Sequence, residues 1–148
     1  MTQPSAPSAH RHVVCGVETV EASAPAIAEA GRVAAAAGAR LSLVHVSGTV
    51  AGFTGGTTSR QRPPDELQAE LIVDVHSWLD PAAERAGADA VVIVGDDPSS
   101  ALKDWVREQD ADLIVVCPHR RGLSRLLGSF AAGVVRDAPC PVMLVPPA

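Results

Sequence analysis

DLIVVC, residues 112–117, sets five apolar residues in a row behind a single acid, with no polar residue alternating between them. A strand with one wet face alternates, whereas a strand covered on both faces does not, so this run predicts a buried strand of a parallel sheet. Four other runs share its character: HVVCGV at 12–17, LSLVHV at 41–46, AVVIV at 90–94 and PVMLV at 141–145. Helix-like stretches separate them. The resulting βαβαβαβαβ order predicts an α/β fold, a doubly wound parallel sheet sandwiched between two layers of helices.

The intervening segments carry the matching signals. Ile27, Ala30, Gly31, Ala34 and Ala35 repeat at helical spacing, their small side chains allow close approach to a sheet, and Gly38 stands where a C-cap belongs. Pro63-Pro64-Asp65-Glu66 puts proline near the first helical position and acids in the first turn, and Leu67, Leu71, Val75 and Trp78 continue one face. Pro81 is expected to kink or end that helix. Asp97 is the expected N-cap of a third helix that buries Ala101, Leu102, Trp105 and Val106. A fourth is expected from about Gly128 to Asp137, with Phe130, Val134 and Val135 inward. Residues 1–11, rich in Ser, Pro and Ala, read as a disordered tail ahead of one domain at 12–148. Ser47 to Arg62, Gly- and Thr-rich and without period, reads either as a cover over a site or as a plain mobile loop.

Composition narrows the function. The chain has 148 residues, 47% hydrophobic and 20% charged, which suits one core rather than a repeat array or a disordered regulator. Seventeen acids against twelve bases give a net charge of −5, and aromatics are limited to Phe53, Trp78, Trp105 and Phe130. Phosphate-backbone attraction and base-stacking platforms are both poorly served, so no nucleic-acid partner is expected. No run approaches the roughly 18 apolar residues of a membrane span and no leader-like apolar segment opens the chain, so a cytoplasmic protein with no membrane association is expected. Cys15, Cys117 and Cys140 lack a CxxC spacing and are expected to be reduced.

In an open parallel sheet, ligands bind beyond the carboxyl ends of the strands, where strand order reverses. The segments expected there are Glu18 to Glu21, the loop after the second strand, Gly95-Asp96-Asp97, and Pro118 to Leu127. The last of these runs into PHRRGLSRLLGS, which joins His119, Arg120, Arg121 and Arg125 to Gly122 and to Gly128-Ser129 at the start of a helix. Free N–H groups and a positive dipole end make such a start a phosphate site.

At this point HVVCGVE, and more specifically ADLIVVCPHRRGLSRLLGSFAAGVVRDAPCPVMLVP, resemble the universal stress protein family over residues 12–146. The resemblance implies a five-stranded parallel Rossmann-like sheet, a role in the stress response, and a homodimer formed through the last strand, 141–145. Some members bind ATP, and their G-x2-G-x9-G-(S/T) motif is matched only in part. Cys117 and Arg120 stand where the first two glycines belong, the spacing is two residues shorter, and Gly128-Ser129 is retained. Carried over position by position, Gly16, Val17 and Glu18 flank the adenosine of an adenine nucleotide, Val46 touches the adenine, and Val116 lies beside base or ribose. Gly128, Ser129 and the Phe130 N–H hold phosphate, and Arg120, Arg121 and Gly122 offer forked donors and a turn in place of the missing glycines. The implied ligand is ATP, with Mg²⁺. The alternative is a protein-interaction or chaperone-like dimer whose ATP motif has degenerated.

Other chemistry is weaker. The histidines at 12, 45, 76 and 119 are too dispersed for a metal cluster, and none is expected. His45 reads as a hydrogen-bonded core residue, and His119 as a solvent-facing one or a group titrating against phosphate. Cys117 reads either as packing or as a thiol activated by dipole and arginines. Asp96 and Asp97 offer Mg²⁺ ligands, although a helix cap explains Asp97-Pro98 without one. Ser124 and Ser129 lack a GxSxG elbow, and no base is identified for ATP hydrolysis, so no catalytic residue is assigned. PVMLV is expected at a sheet edge that pairing about a two-fold axis would cover.

Overall fold

The computed structural model describes residues 10–50, 63–118 and 129–148. Five strands, β1 (His12–Gly16), β2 (Arg40–Ser47), β3 (Asp89–Val94), β4 (Leu113–Val116) and β5 (Val142–Leu144), alternate with four helices. The helices are α1 (Val20–Ala37), α2 (Pro64–Ala86), α3 (Pro98–Glu108) and α4 (Ser129–Val135). Every strand pairing is parallel, in the order β3-β2-β1-β4-β5, so the chain runs outward to one edge and returns beside β1. The α/β sandwich expected from the apolar runs is the observed fold, and β5 is an edge strand as expected.

Residues alternate between two cores because successive strand side chains point to opposite faces. Val13, Cys15, Leu43, Leu113 and Val115 meet Ala26, Ala30 and Ala34 of α1 and Leu79 and Ala83 of α2. Val14, Val44, Ile114 and Val116 meet Leu102 and Val106 of α3 and Ala131 and Val134 of α4. A Cβ on Gly133 would stand 2.7 Å from the Ser99 Cβ, so this glycine sets how closely α3 and α4 approach.

Local signals were partly misplaced. The buried stripe of α1 is Ser23, Ala26, Ala30 and Ala34, with Ile27 half-buried toward α2 and Ala35 exposed. The helix begins earlier than the small-residue repeat because Thr19 caps it, its Oγ1 accepting from the Ala22 N–H at 3.1 Å. Gly38 closes it in the left-handed region, φ +64°. Pro81 does not end α2, which continues to Ala86. Its ring removes one donor to the Ser77 carbonyl, and both residues lie on the exposed face, where solvent can replace that donor. Leu71 of α2 is exposed instead of continuing the buried face, which is Val75, Leu79, Ala82 and Ala83. In α3, Leu102 and Val106 are fully buried while Ala101 and Trp105 are only half-buried. Val135, expected inward, is 44% exposed at the end of the short α4, because Val134 and Ala131 take the face toward the sheet.

Candidate functional site at the carboxyl ends of the strands

The site begins where the ladder between β1 and β2 stops. Gly16 is the last residue of β1, and Val17 continues it by donating its N–H to the Val44 carbonyl at 2.8 Å. In a continued parallel ladder the Val17 carbonyl would next accept from Val46. Here it accepts instead from His45 Nδ1 at 2.8 Å. The chain then turns into α1, with the Glu18 N–H donating to the Oγ of buried Ser23 at 3.1 Å. The peptide groups of Val44 and, two residues on, Val46 point to the β1 side, so Val46 presents N–H and C=O beyond the point where β1 has turned away.

A cavity of about 220 Å³ opens there, lined by Val17, Glu18, Val44, His45, Val46, Pro98, Ser129 and Phe130. The tips of β1 and β2 supply its walls, the starts of α3 and α4 the remainder. Gly16 lies beneath: a Cβ there would meet Val116 Cγ1 at 3.1 Å and both Leu102 Cδ2 and Phe130 Cε1 at 3.4 Å. The missing side chain is what lets Phe130 and Val116 close under the hollow.

Of the residues singled out from the sequence, Val17, Glu18, Val46, Ser129 and Phe130 come together on this one surface. Gly16 and Val116 sit in the packing below it, Val116 being 1% exposed. Arg120, Arg121, Gly122 and Gly128 lie outside the described residues, as do His119, Ser124, Arg125, Phe53 and positions 51–62 of the long loop. Val44, His45 and Pro98 were not assigned to the site. An imidazole one residue before the last valine of an otherwise apolar strand was the available signal for His45, and the proline opening the helix after β3 was that for Pro98.

Burial, and then the nearby Glu18 carboxylate, push the Cys117 thiol above its ordinary range, which opposes the activated-thiol reading. Cys15, fully buried, is pushed up to about 12 by burial and by Cys117. All three cysteines are free. Asp97 is the N-cap of α3, and the hydroxyls of Ser100 and Ser99 and the Ser100 N–H hold its carboxyl below the usual range. Among the described residues no group of three or more His, Cys, Asp or Glu is arranged to hold a metal ion. Among them, too, no helix is long and apolar enough to cross a membrane.

A doubly wound parallel domain with a hollow at the carboxyl ends of its strands belongs to the broad Rossmann-like class. Comparison with known proteins narrows this. The sequence pattern described as the universal stress protein family matches residues 9–146, and the chain belongs to that family. Among solved structures, it is similar to a universal stress protein crystallised in complex with cAMP, at 29% identity and a TM-score of 0.70, over 95% of this chain and 100% of that one. It is similar in fold to the universal stress protein UspA from Lactobacillus plantarum, with 18% identity, a TM-score of 0.71, and coverage of 94% of this chain and 99% of that one. It is also similar in fold to a universal stress protein from Archaeoglobus fulgidus in complex with dAMP, with 22% identity, a TM-score of 0.64, and coverage of 93% and 98%. No curated protein matches the chain.

Proposed function

We propose that the chain binds the adenosine part of an adenine nucleotide in the hollow at the tips of β1 and β2, and that it acts as a ligand-responsive regulator in the stress response rather than as an enzyme. The observation that carries this is that Val46, whose peptide groups by ladder alternation face the β1 side past the end of β1, lines a cavity together with Val17, Pro98 and Phe130. A backbone N–H beside a C=O complements the Watson–Crick edge of adenine, which offers a ring-nitrogen acceptor next to an amino donor. Guanine offers the reverse, a carbonyl acceptor at the equivalent position and a ring N–H, and meets the same peptide with like groups opposed. Glu18 supplies carboxylate oxygens that accept from ribose hydroxyls.

The size of the hollow bears on which part of the ligand it takes. About 220 Å³ is below the roughly 300–1,000 Å³ of pockets that enclose drug-sized molecules. It suits a nucleoside and leaves the phosphates toward Ser129 on its lining. ATP, AMP and cAMP share the part that is read. The protein of known structure that is 29% identical to this chain was crystallised with cAMP, which supports the same ligand class here.

A second reading draws support from β5. This edge strand pairs only with β4 among the described residues, and Leu144 is 37% exposed on it. Pairing of 141–145 with a second copy would cover it, and a dimer of this kind serves equally as an interaction module without nucleotide. Titration calorimetry separates the two. AMP, cAMP and ATP are expected to bind and to raise the melting temperature by mass action, with GMP binding at least about tenfold more weakly. No heat and no melting shift with any adenine nucleotide at millimolar concentration would leave the interaction module standing alone.

A further inference from the structure

We propose that His45 is a positioning residue for the base-reading edge: by taking the Val17 carbonyl with its own ring N–H, it ends the β1–β2 ladder one bond early and keeps the Val46 peptide available to ligand. The proposal rests on base binding at Val46. Its geometry stands on its own, however. Val17 donates to Val44 at 2.8 Å, so the two chains are still in ladder register at that point. The next rung of a parallel ladder would run from the Val46 N–H to the Val17 carbonyl. That carbonyl is occupied by His45 Nδ1 at 2.8 Å, and because a carbonyl only accepts, Nδ1 carries the proton.

The ring is held for this task from the other side of the sheet. His45 and Val46 are consecutive and face opposite layers. The imidazole therefore lies on the α1/α2 side, where Trp78 of α2 meets it edge to face, with centroids 5.1 Å apart and planes at 85°. Trp78 is packed against the core formed by α1 and α2. One aromatic contact and one hydrogen bond thus fix the ring across the strand end, while Val46 looks into the hollow with Pro98 and Phe130. An aliphatic residue at 45 would keep the strand and its packing but release the Val17 carbonyl, which would then be free to close on the Val46 N–H.

His45→Val and His45→Asn test this in the full chain. Valine favours strands and offers no donor, whereas the asparagine amide reaches the place of Nδ1 and restores the donor. In His45→Val the Val46 amide is expected to gain at least about tenfold protection from hydrogen exchange in the free protein, and AMP affinity to fall about tenfold, the equivalent of one lost hydrogen bond with its desolvated partner. In His45→Asn both are expected to return to within about threefold of wild type, with melting temperatures of the folded variants showing that neither change is a general loss of structure. Unchanged Val46 protection in His45→Val overturns the ladder argument whatever the ligand does. Equal loss of affinity in both variants overturns the donor's role. Failure of the wild type to bind AMP, with Val46 protection appearing as expected in His45→Val, overturns base binding and the ligand role of His45 with it, and leaves only the ladder ending.

Discussion

The two ends of the sheet each carry a histidine in hydrogen-bonding contact with a neighbouring strand or its continuation, and they use it in opposite ways. At the amino end, His12 is 6% exposed and its Nε2 shares a hydrogen bond of 2.8 Å with Ser42 Oγ on β2, which is fully buried. Trp105 closes over it edge to face at 6.0 Å. Around it the Asp112 carboxylate accepts from the N–H groups of Arg11 and His12 at 2.9 and 3.2 Å, and Arg40 pairs with Asp89 at 2.9 Å. These side chains draw the starts of β1, β2, β3 and the turn before β4 together. At the carboxyl end, His45 spends its bond on a carbonyl that the ladder would otherwise use, and a hollow remains. The same imidazole therefore seals one end and opens the other, and what decides is whether its partner is a side chain or a rung of the ladder.

Filling the floor of the open end should break the contrast most strongly. Gly16→Val places a branched side chain where a single Cβ already lies 3.1 Å from Val116 and 3.4 Å from Phe130. Overpacking of this kind costs about 1–3 kcal/mol, measurable as a lower urea midpoint. AMP binding should be lost in calorimetry at concentrations where the folded fraction is still high, because Phe130 is displaced into the hollow. Wild-type affinity in a folded Gly16→Val protein would show that the ligand lies elsewhere.

A smaller effect sharpens the closed end. Burial first, and then the Arg40 guanidinium, lower the pKa of His12 from 6.5, against the opposing pull of the Asp112 and Asp89 carboxylates. The unfolded chain therefore binds more protons than the folded one once the pH falls below about 6.5, and stability declines on acidification from there down to the lowered value. Asp112 adds a later loss. Partial burial pushes its pKa up, yet the N–H groups of Arg11 and His12 and the charges of His10 and Arg11 outweigh this and hold it below 3.8. Its contribution is present above that value and disappears as the pH falls through the lowered one. Urea midpoints should decrease from pH 7.5 to 5.5 in the wild type and stay level in His12→Gln. A wild-type midpoint independent of pH over that range would contradict the placement of His12.

Much of this was legible in the chain. Uninterrupted runs such as DLIVVC and HVVCGV announce strands covered on both faces, and their alternation with helical spacing leaves few topologies open. Glu18 was legible because it follows a strand end, where a parallel sheet puts its ligands, whereas Val17 and Val46 were implied by the resemblance to the universal stress protein family. What the sequence hid was phase and register. Ala35 and Val135 were placed inward although neighbouring residues take that face. Pro81 was expected to kink or end α2, because a local rule cannot know that the residue lies on the exposed face, yet the helix runs on through it. His45 was read as a core histidine, which describes its surroundings but not its effect. That effect depends on which rung of the β1–β2 ladder is next, a relation between residues 28 positions apart that no local pattern carries.

The central claim is that the open end alone receives an adenosine moiety, and an amide-resolved titration of the isotopically labelled protein with AMP tests it most directly. The amides of Val17, Glu18, Val46, Ser129 and Phe130 should shift together along one saturable curve while those of Arg11, His12, Arg40, Asp89 and Asp112 stay in place. Saturable shifts confined to other surfaces, or none at millimolar AMP, would contradict it.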